Sequence, residues 1–199
     1  MVNDMNKENI IIDYLNHNNG YITSKSLKEM NINYYYINKF INKGIIERVS
    51  IGLYKESCSI KDEYFILQQK YSYAIFSHLT ALFLLNLTDR VPFNIDLTIP
   101  RDKKIRGSYN IHRISDKYYS IGIIDIIDFH GNSLKVYNAE RCVCDLIRNN
   151  EEFDVELQNR IFDYYFNSES KDIDKLLEYA KIFGIYDKVK LLTEVMMKW

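Results

Sequence analysis

Cysteine is scarce in this 199-residue chain, with only Cys58, Cys142 and Cys144. Three irregularly spaced cysteines exclude a disulfide framework, and no C-x-x-C with a second pair exists to hold zinc. A reduced cytoplasmic setting fits. Long apolar runs are missing as well: nothing approaches the roughly 18 residues of a membrane-spanning helix, and the opening MVNDMNKEN is polar rather than signal-like. No membrane partner is expected. An excess of either charge is also absent, since 26 Lys and Arg stand against 27 Asp and Glu for a net charge of −1. That excludes a uniformly basic nucleic-acid binder and requires any contact with a polyanion to come from local clustering. Finally, the chain carries no P-loop, no G-x-G-x-x-G and no G-x-S-x-G, and no internal repeat, low-complexity tract or long linker. No cofactor, metal or catalytic residue is assigned from motifs.

The content that is present is 47% hydrophobic, enough for one good core or two modest ones, so a small N-terminal domain with a larger C-terminal one is the natural expectation. Residues 22–54 organise the first. Thr23 can accept from the free N–H groups of a short helix running to Met30, and Asn31-Ile32-Asn33 supplies a turn and the next N-cap. Over residues 34–43 the apolar Tyr34, Ile37 and Ile41 recur at helical spacing, which puts Tyr35, Asn38, Lys39 and Asn42 on the opposite face. Lys43-Gly44 stops that helix, and 46–50 followed by 52–54 reads as two strands around a tight turn. A first helix over 8–17 packs behind. Two helices followed by a hairpin is the order of a winged helix-turn-helix, whose second helix reads DNA. The chemistry fits: Asn pairs with adenine N6 and N7, while Tyr and Lys bind phosphate. Residues 1–56 carry seven Lys or Arg against six acids, so placement matters more than total charge. The competing reading is a small helical domain whose Tyr and Asn residues are merely solvated.

A polar boundary follows at 55–61, where Ser59 with Asp62 forms a capping box for a helix through Lys70. Beyond it the spacing predicts a strand at 73–76, a buried helix over 78–85 capped by Ser77, strands at 94–99 and 109–114, a one-turn helix at 117–120, and a hairpin of 122–129 with 133–137. From 138 onward the pattern is helical: 139–149, 155–166, 173–183 and 186–198. The fold class is therefore α+β. The expected division is a winged helix-turn-helix over 1–56 and a mixed α+β domain over 57–199, strand-rich to 137 and helical from 138.

Few residues suggest catalysis. Ser77-His78, with an acid such as Asp145, could be half of a nucleophile and base pair, but adjacent residues rarely face each other at a helix start, and a cap followed by a partly buried histidine is preferred. Cys142 and Cys144 are two apart on a helix, point about 200° apart and read as core fillers. His17, His112 and His130 form no cluster by spacing. A magnesium-dependent nuclease would need an Asp and a Glu-x-Lys on adjoining strands; the nearest candidates are Asp96 with Asp102-x-Lys104, and Glu169-x-Lys171 in a polar loop. Charge is segregated, however. Arg101, Lys103, Lys104, Arg106, Arg113 and Lys117 face only Asp102 and Asp116 within 17 residues, while Glu151, Glu152, Asp154 and Glu156 make an acidic run. The basic stretch is by default a solvated loop, the alternatives being a second phosphate-contacting patch or a docking surface for an acidic partner.

Four ordered blocks carry a resemblance: ERVSIGLY at 47–54, DEYFILQQKYSYAIFSHLTALFLLNLTDRVP at 62–92, DLTIPR at 96–101 and VYNAERCVCDLI at 136–147. Together they resemble the AbiEi family antitoxins of bacterial type IV toxin–antitoxin, or abortive infection, systems. Leu79 departs from the pattern, which has an acid after the Ser-His pair. The resemblance implies a transcriptional autorepressor whose winged domain reads inverted repeats in double-stranded promoter DNA. It also implies an antitoxin that counteracts a nucleotidyltransferase-like toxin without a stable complex, in phage defence. The residues expected at DNA are Thr23, Lys25, Asn33, Tyr35, Asn38, Lys39, Asn42, Lys43 and Arg48. A DNA-targeted nuclease, or a module binding a partner through its C-terminal helices, are the alternatives.

Overall fold

A computed structural model describes residues 2–148 and 154–197. The chain is α+β, and its residues gather into two compact units, Met1–Ser72 with Ile127–Leu134 and Tyr73–Ile126 with Lys135–Trp199.

In the first unit, helix α1 (Val2–His17) precedes strand β1 (Tyr21–Thr23), helices α2 (Ser24–Glu29) and α3 (Tyr34–Asn42), and strands β2 (Ile46–Ser50) and β3 (Leu53–Glu56). The strands form one antiparallel sheet in the order β1-β3-β2. Ile11, Leu15, Ile22, Leu27, Ile37, Phe40, Ile46 and Tyr54 make its core. Helix α4 (Glu63–Lys70) also belongs to this unit, although the polar stretch before it reads as a boundary. Three contacts hold it: the Asp62 amide donates to Tyr21 Oη at 2.8 Å, the Tyr21 and Phe65 rings lie 4.8 Å apart, and the buried Lys55 Nζ donates to Ser59 O at 2.6 Å. The cap of α4 is Asp62 alone, accepting from Phe65 N at 3.0 Å, because the Ser59 hydroxyl donates to Glu56 instead.

Residues 127–134 join the first unit through a carboxyl pair. Asp62 Oδ2 accepts from Asn132 Nδ2 at 2.6 Å, and Asp128 Oδ1 accepts from the amides of His130 and Asn132, each at 2.9 Å. Asp128 Oδ2 is the buried side-chain oxygen left without a partner among the described residues. Burial first, then Asp128, raise the Asp62 carboxyl above its ordinary 3.8, which favours a proton shared between the two carboxyls. The folded state binds this proton more tightly than the unfolded chain does. Its stabilisation is complete below the unfolded carboxylate value and is lost as pH rises through the raised folded value. An amide in place of Asp128 supplies the donor permanently. Asp128→Asn is expected to add about 1–3 kcal/mol at neutral pH and little in acid; equal urea midpoints for the two proteins at neutral pH would rule out the shared proton.

The second unit is built on a five-stranded sheet in the order β6-β5-β4-β8-β7, with β4 (Ile75–Phe76), β5 (Asp96–Pro100), β6 (Asn110–Ile114), β7 (Ile123–Ile127) and β8 (Ser133–Tyr137). Central β4 is short and wholly buried, as a strand covered on both faces must be. It runs antiparallel to β5 and parallel to β8, and β5 is parallel to β6 with Asp96 opposite Asn110 and Thr98 opposite His112. Helix α5 (His78–Leu84) follows β4, and α6 (Asp116–Tyr119) follows β6. Helices α7 (Ala139–Arg148), α8 (Val155–Asn167), α9 (Ile173–Ile182) and α10 (Tyr186–Met196) complete the unit, with α7 packed against the others. No helix among the described residues is long and apolar enough to cross a membrane.

Candidate nucleic-acid interface

Two matching helix ends fix the geometry around α3. Helix α2 starts where Thr23 Oγ1 accepts from Ser26 N at 3.0 Å and ends with Asn31 at φ 53°, a left-handed conformation that Asn tolerates. Ile32 N then donates to Leu27 O and Asn31 N to Lys28 O, which satisfies two of the last carbonyls of the helix. Asn33 begins α3 two residues later, its side chain accepting from Tyr35 N at 2.8 Å. At the far end Gly44 repeats the closure, with Ile45 N bonded to Phe40 O and Gly44 N to Ile41 O.

The inward face of α3 is Ile37 and Phe40, flanked by Tyr36 and Ile41. Tyr34, expected inside, is half-exposed and accepts from Tyr54 Oη at 2.9 Å. The helix is thus rotated from the sequence-based phase. An inward Tyr34 would bury a hydroxyl, whereas Phe40 has none to satisfy. Tyr35 at 61% exposure, Asn38 and Asn42 remain outside, with the face open to solvent between them.

Lysine placement differs more. Lys39 Nζ sits 2.5 Å and Lys43 Nζ 3.6 Å from the two carboxylate oxygens of Glu8 on α1, and the Lys39 contact leads the causes that lower the Glu8 carboxyl below its ordinary value. Both lysines are turned toward α1, not splayed over the outward face. Lys25 is exposed and 3.9 Å from Glu29. Arg48, on the exposed side of β2, donates from Nε to Ser50 O at 3.2 Å, next to an irregularity in the β2–β3 register; Ile51 at the hairpin tip is almost fully exposed. Thr23 and Asn33 both place their oxygens on helix N-termini, so their first role is capping. Glu8 therefore competes with any anion for Lys39 and Lys43. Glu8→Gln is expected to raise affinity for duplex DNA of any sequence and to steepen its salt dependence by more than one charge. An unchanged salt slope in a filter-binding titration would count against lysine contact with phosphate.

The chain matches no protein-family model and no curated protein.

In the second unit, the loop after β5 exposes Arg101, Lys103, Lys104 and Arg106, and Arg113 and Lys117 are exposed on β6 and α6. Lys103 lies 3.1 Å from Asp102, and the Lys117 ammonium sits over the Tyr118 ring. Of the acidic run, Glu151 and Glu152 lie outside the described residues; Asp154 caps α8 and pairs with Arg90 at 2.8 Å.

Ser77 and His78 do face each other, contrary to the sequence reading: Oγ and Nδ1 are 3.1 Å apart, and Ser77 makes no side-chain cap. His78 adopts φ 49° and stacks on His112 with centroids 3.5 Å apart and planes at 16°. Burial, then His112, lower its pKa to about 4, which keeps the ring neutral. His112 in turn meets Asp96 at 3.1 Å. Spacing could not show this grouping, because β-sheet pairing brings 77–78, 96 and 112 together.

The nuclease candidates do not assemble. Asp96 is buried at the start of β5 and held by Asn110, His112 and Thr80, while exposed Asp102 lies two residues past the far end of that strand, whose four steps alone span roughly 13 Å. Glu169 is exposed in a loop after α8. Cys142 and Cys144 are buried, and burial raises both thiols, Cys144 to about 12, so neither is a ready nucleophile.

Proposed function

We propose that the first unit is a winged helix-turn-helix that binds double-stranded DNA, with α3 as the reading helix and the β2–β3 hairpin as its wing. One observation carries this reading: α3 buries Ile37 and Phe40 and leaves Tyr35, Asn38 and Asn42 together on an open face, between a capped start and a glycine-closed end. Tyrosine and asparagine without a carboxylate suit phosphate and adenine edges, and exposed Arg48 on the hairpin that follows α3 adds a cation suited to phosphate.

With the AbiEi resemblance, the proposal extends to a cytoplasmic bacterial autorepressor and antitoxin. It would bind inverted repeats in its own promoter and counteract a nucleotidyltransferase-like toxin without a stable complex and without catalysis of its own. A gel-shift titration of the full chain on its upstream promoter and on scrambled DNA, at two salt concentrations, tests the DNA reading. Specific, salt-sensitive retardation in stepwise bands is expected; equal weak binding to both DNAs would refute it.

A further inference from the structure

The second unit contains a cleft of about 600 Å³, within the range of small-molecule sites. One end is buried Asp96 with part-buried His112 and exposed Asn110; the other is the Arg90–Asp154 ion pair, with each side chain about half exposed; Leu79 and Leu157 contribute apolar wall.

The Asp96 end is a built arrangement. Asp96 Oδ1 accepts from Asn110 Nδ2 and from His112 Nε2, both at 3.1 Å, and the Asp96 amide donates to Thr80 Oγ1 at 2.8 Å. With Nε2 donating to a carboxylate, a neutral ring leaves Nδ1 as an acceptor. Nδ1 has no hydrogen-bond partner among the described residues, and the side chain is 23% exposed. The ring cannot swing freely, because it stacks on buried His78, itself held in a left-handed backbone conformation that bulky residues seldom adopt.

Charge narrows the occupant. The cleft holds one guanidinium and two carboxylates. A nucleotide phosphate would meet Asp96 and Asp154, and a simple cation would meet Arg90. A molecule carrying both charges a few ångströms apart meets neither objection. The half-exposed Arg90–Asp154 pair opens at small cost, and each half then pairs with the opposite charge of the ligand. Asp154 keeps Oδ1 on Leu157 N while Oδ2 turns to the ligand.

The geometry points to this cleft as a binding site for a free α-amino acid, whose carboxylate pairs with Arg90, ammonium with Asp154 and side-chain donor with Nδ1 of His112. The inference concerns the second unit and is independent of the DNA reading.

The test is a thermal-shift screen of the full chain against the twenty free L-amino acids, followed by calorimetry on those that stabilise it. Adenosine monophosphate and the N-acetyl and amide derivatives serve as comparison probes. The expected result is stabilisation by an amino acid whose side chain donates a hydrogen bond, with no response to its N-acetyl or amide form. Affinity should fall roughly tenfold or more in Arg90→Gln and in Asp154→Asn. Both variants sit at exposed positions, and Asn retains the cap of α8. No response to any amino acid, equal binding of the blocked derivatives, unchanged affinity in Arg90→Gln, or preference for the nucleotide would each overturn it.

Discussion

Arg141→Ala is expected to destabilise the second unit by about 3–5 kcal/mol, and so to lower its unfolding temperature by roughly 6–20 °C. Arg141 is among the most deeply buried side chains of the described residues, at 1% exposure, and its guanidinium is held by hydrogen bonds and two aromatic rings. Nε donates to Asp145 Oδ2 at 2.7 Å, and Nη1 donates to the carbonyls of Tyr118 and Ile121 at 2.9 and 3.0 Å. The plane is sandwiched between the rings of Tyr137 and Phe183, each 4.4 Å from the guanidinium carbon. Removing it strands the buried Asp145 carboxylate, leaving Arg148, its side chain one-third exposed, at 3.2 Å, and opens a cavity the length of an arginine. Arg141→Lys should recover little, because an ammonium cannot span Asp145 and two carbonyls while stacking between two rings. Urea unfolding followed by far-UV circular dichroism checks both variants; a loss under about 1 kcal/mol for Arg141→Ala would show that the sandwich is not a major support.

This centre shows what sequence spacing can and cannot convey. Arg141 and Asp145 stand four apart in VYNAERCVCDLI, a pairing that any helix allows. The burial of the pair depends on Tyr118 and Ile121, some twenty residues away, and on Phe183, some forty. Gly122 shows the same dependence: at φ 81° its absent Cβ would lie 2.8 Å from Arg141 Cβ, and its carbonyl accepts from Asn138 N at the start of α7. Local signals did carry the caps at Thr23 and Asn33, the glycine end of α3, the strand and helix order, and the burial of both α7 cysteines. They failed where two local solutions competed. Ser59 could cap α4 but bonds to Glu56, and α3 offers apolar residues at 34, 36, 37, 40 and 41, so periodicity alone leaves its phase open. They also failed where pairing was non-local. His78, Asp96 and His112 lie in three elements, and only the β4–β5–β6 register brings them together. The capture of Lys39 and Lys43 by Glu8 is a third such case, set by how α1 crosses α3.

That capture shapes the second large effect expected. On the proposed DNA reading, Asn38→Ala should reduce discrimination between promoter and scrambled DNA by roughly 5- to 150-fold, the loss of about 1–3 kcal/mol that follows when one bidentate base contact is removed, while leaving binding to scrambled DNA near its starting value. Lys39→Ala should do the reverse, weakening both DNAs alike. Its loss has two parts: a phosphate partner disappears, and Glu8 is left with only Lys43, at 3.6 Å, to offset its charge beside the DNA. Glu8→Gln/Lys39→Ala removes both members of the pair. The net charge of the pair is zero before and after, so the double variant should return close to the starting non-specific affinity, although the single changes move it in opposite directions. If Glu8 and Lys39 act on DNA independently, the salt slope of the double variant will equal the sum of the two single shifts and its affinity will follow additively. If the Glu8 carboxylate holds Lys39 away from phosphate, Glu8→Gln alone will give more than a one-charge gain, and the excess will vanish in the double variant. Asn38→Ala should be indifferent to Glu8 in either case, since its contact carries no charge. A change in promoter discrimination on adding Glu8→Gln to Asn38→Ala would mean that α3 meets DNA at a different angle from the one its exposed face defines.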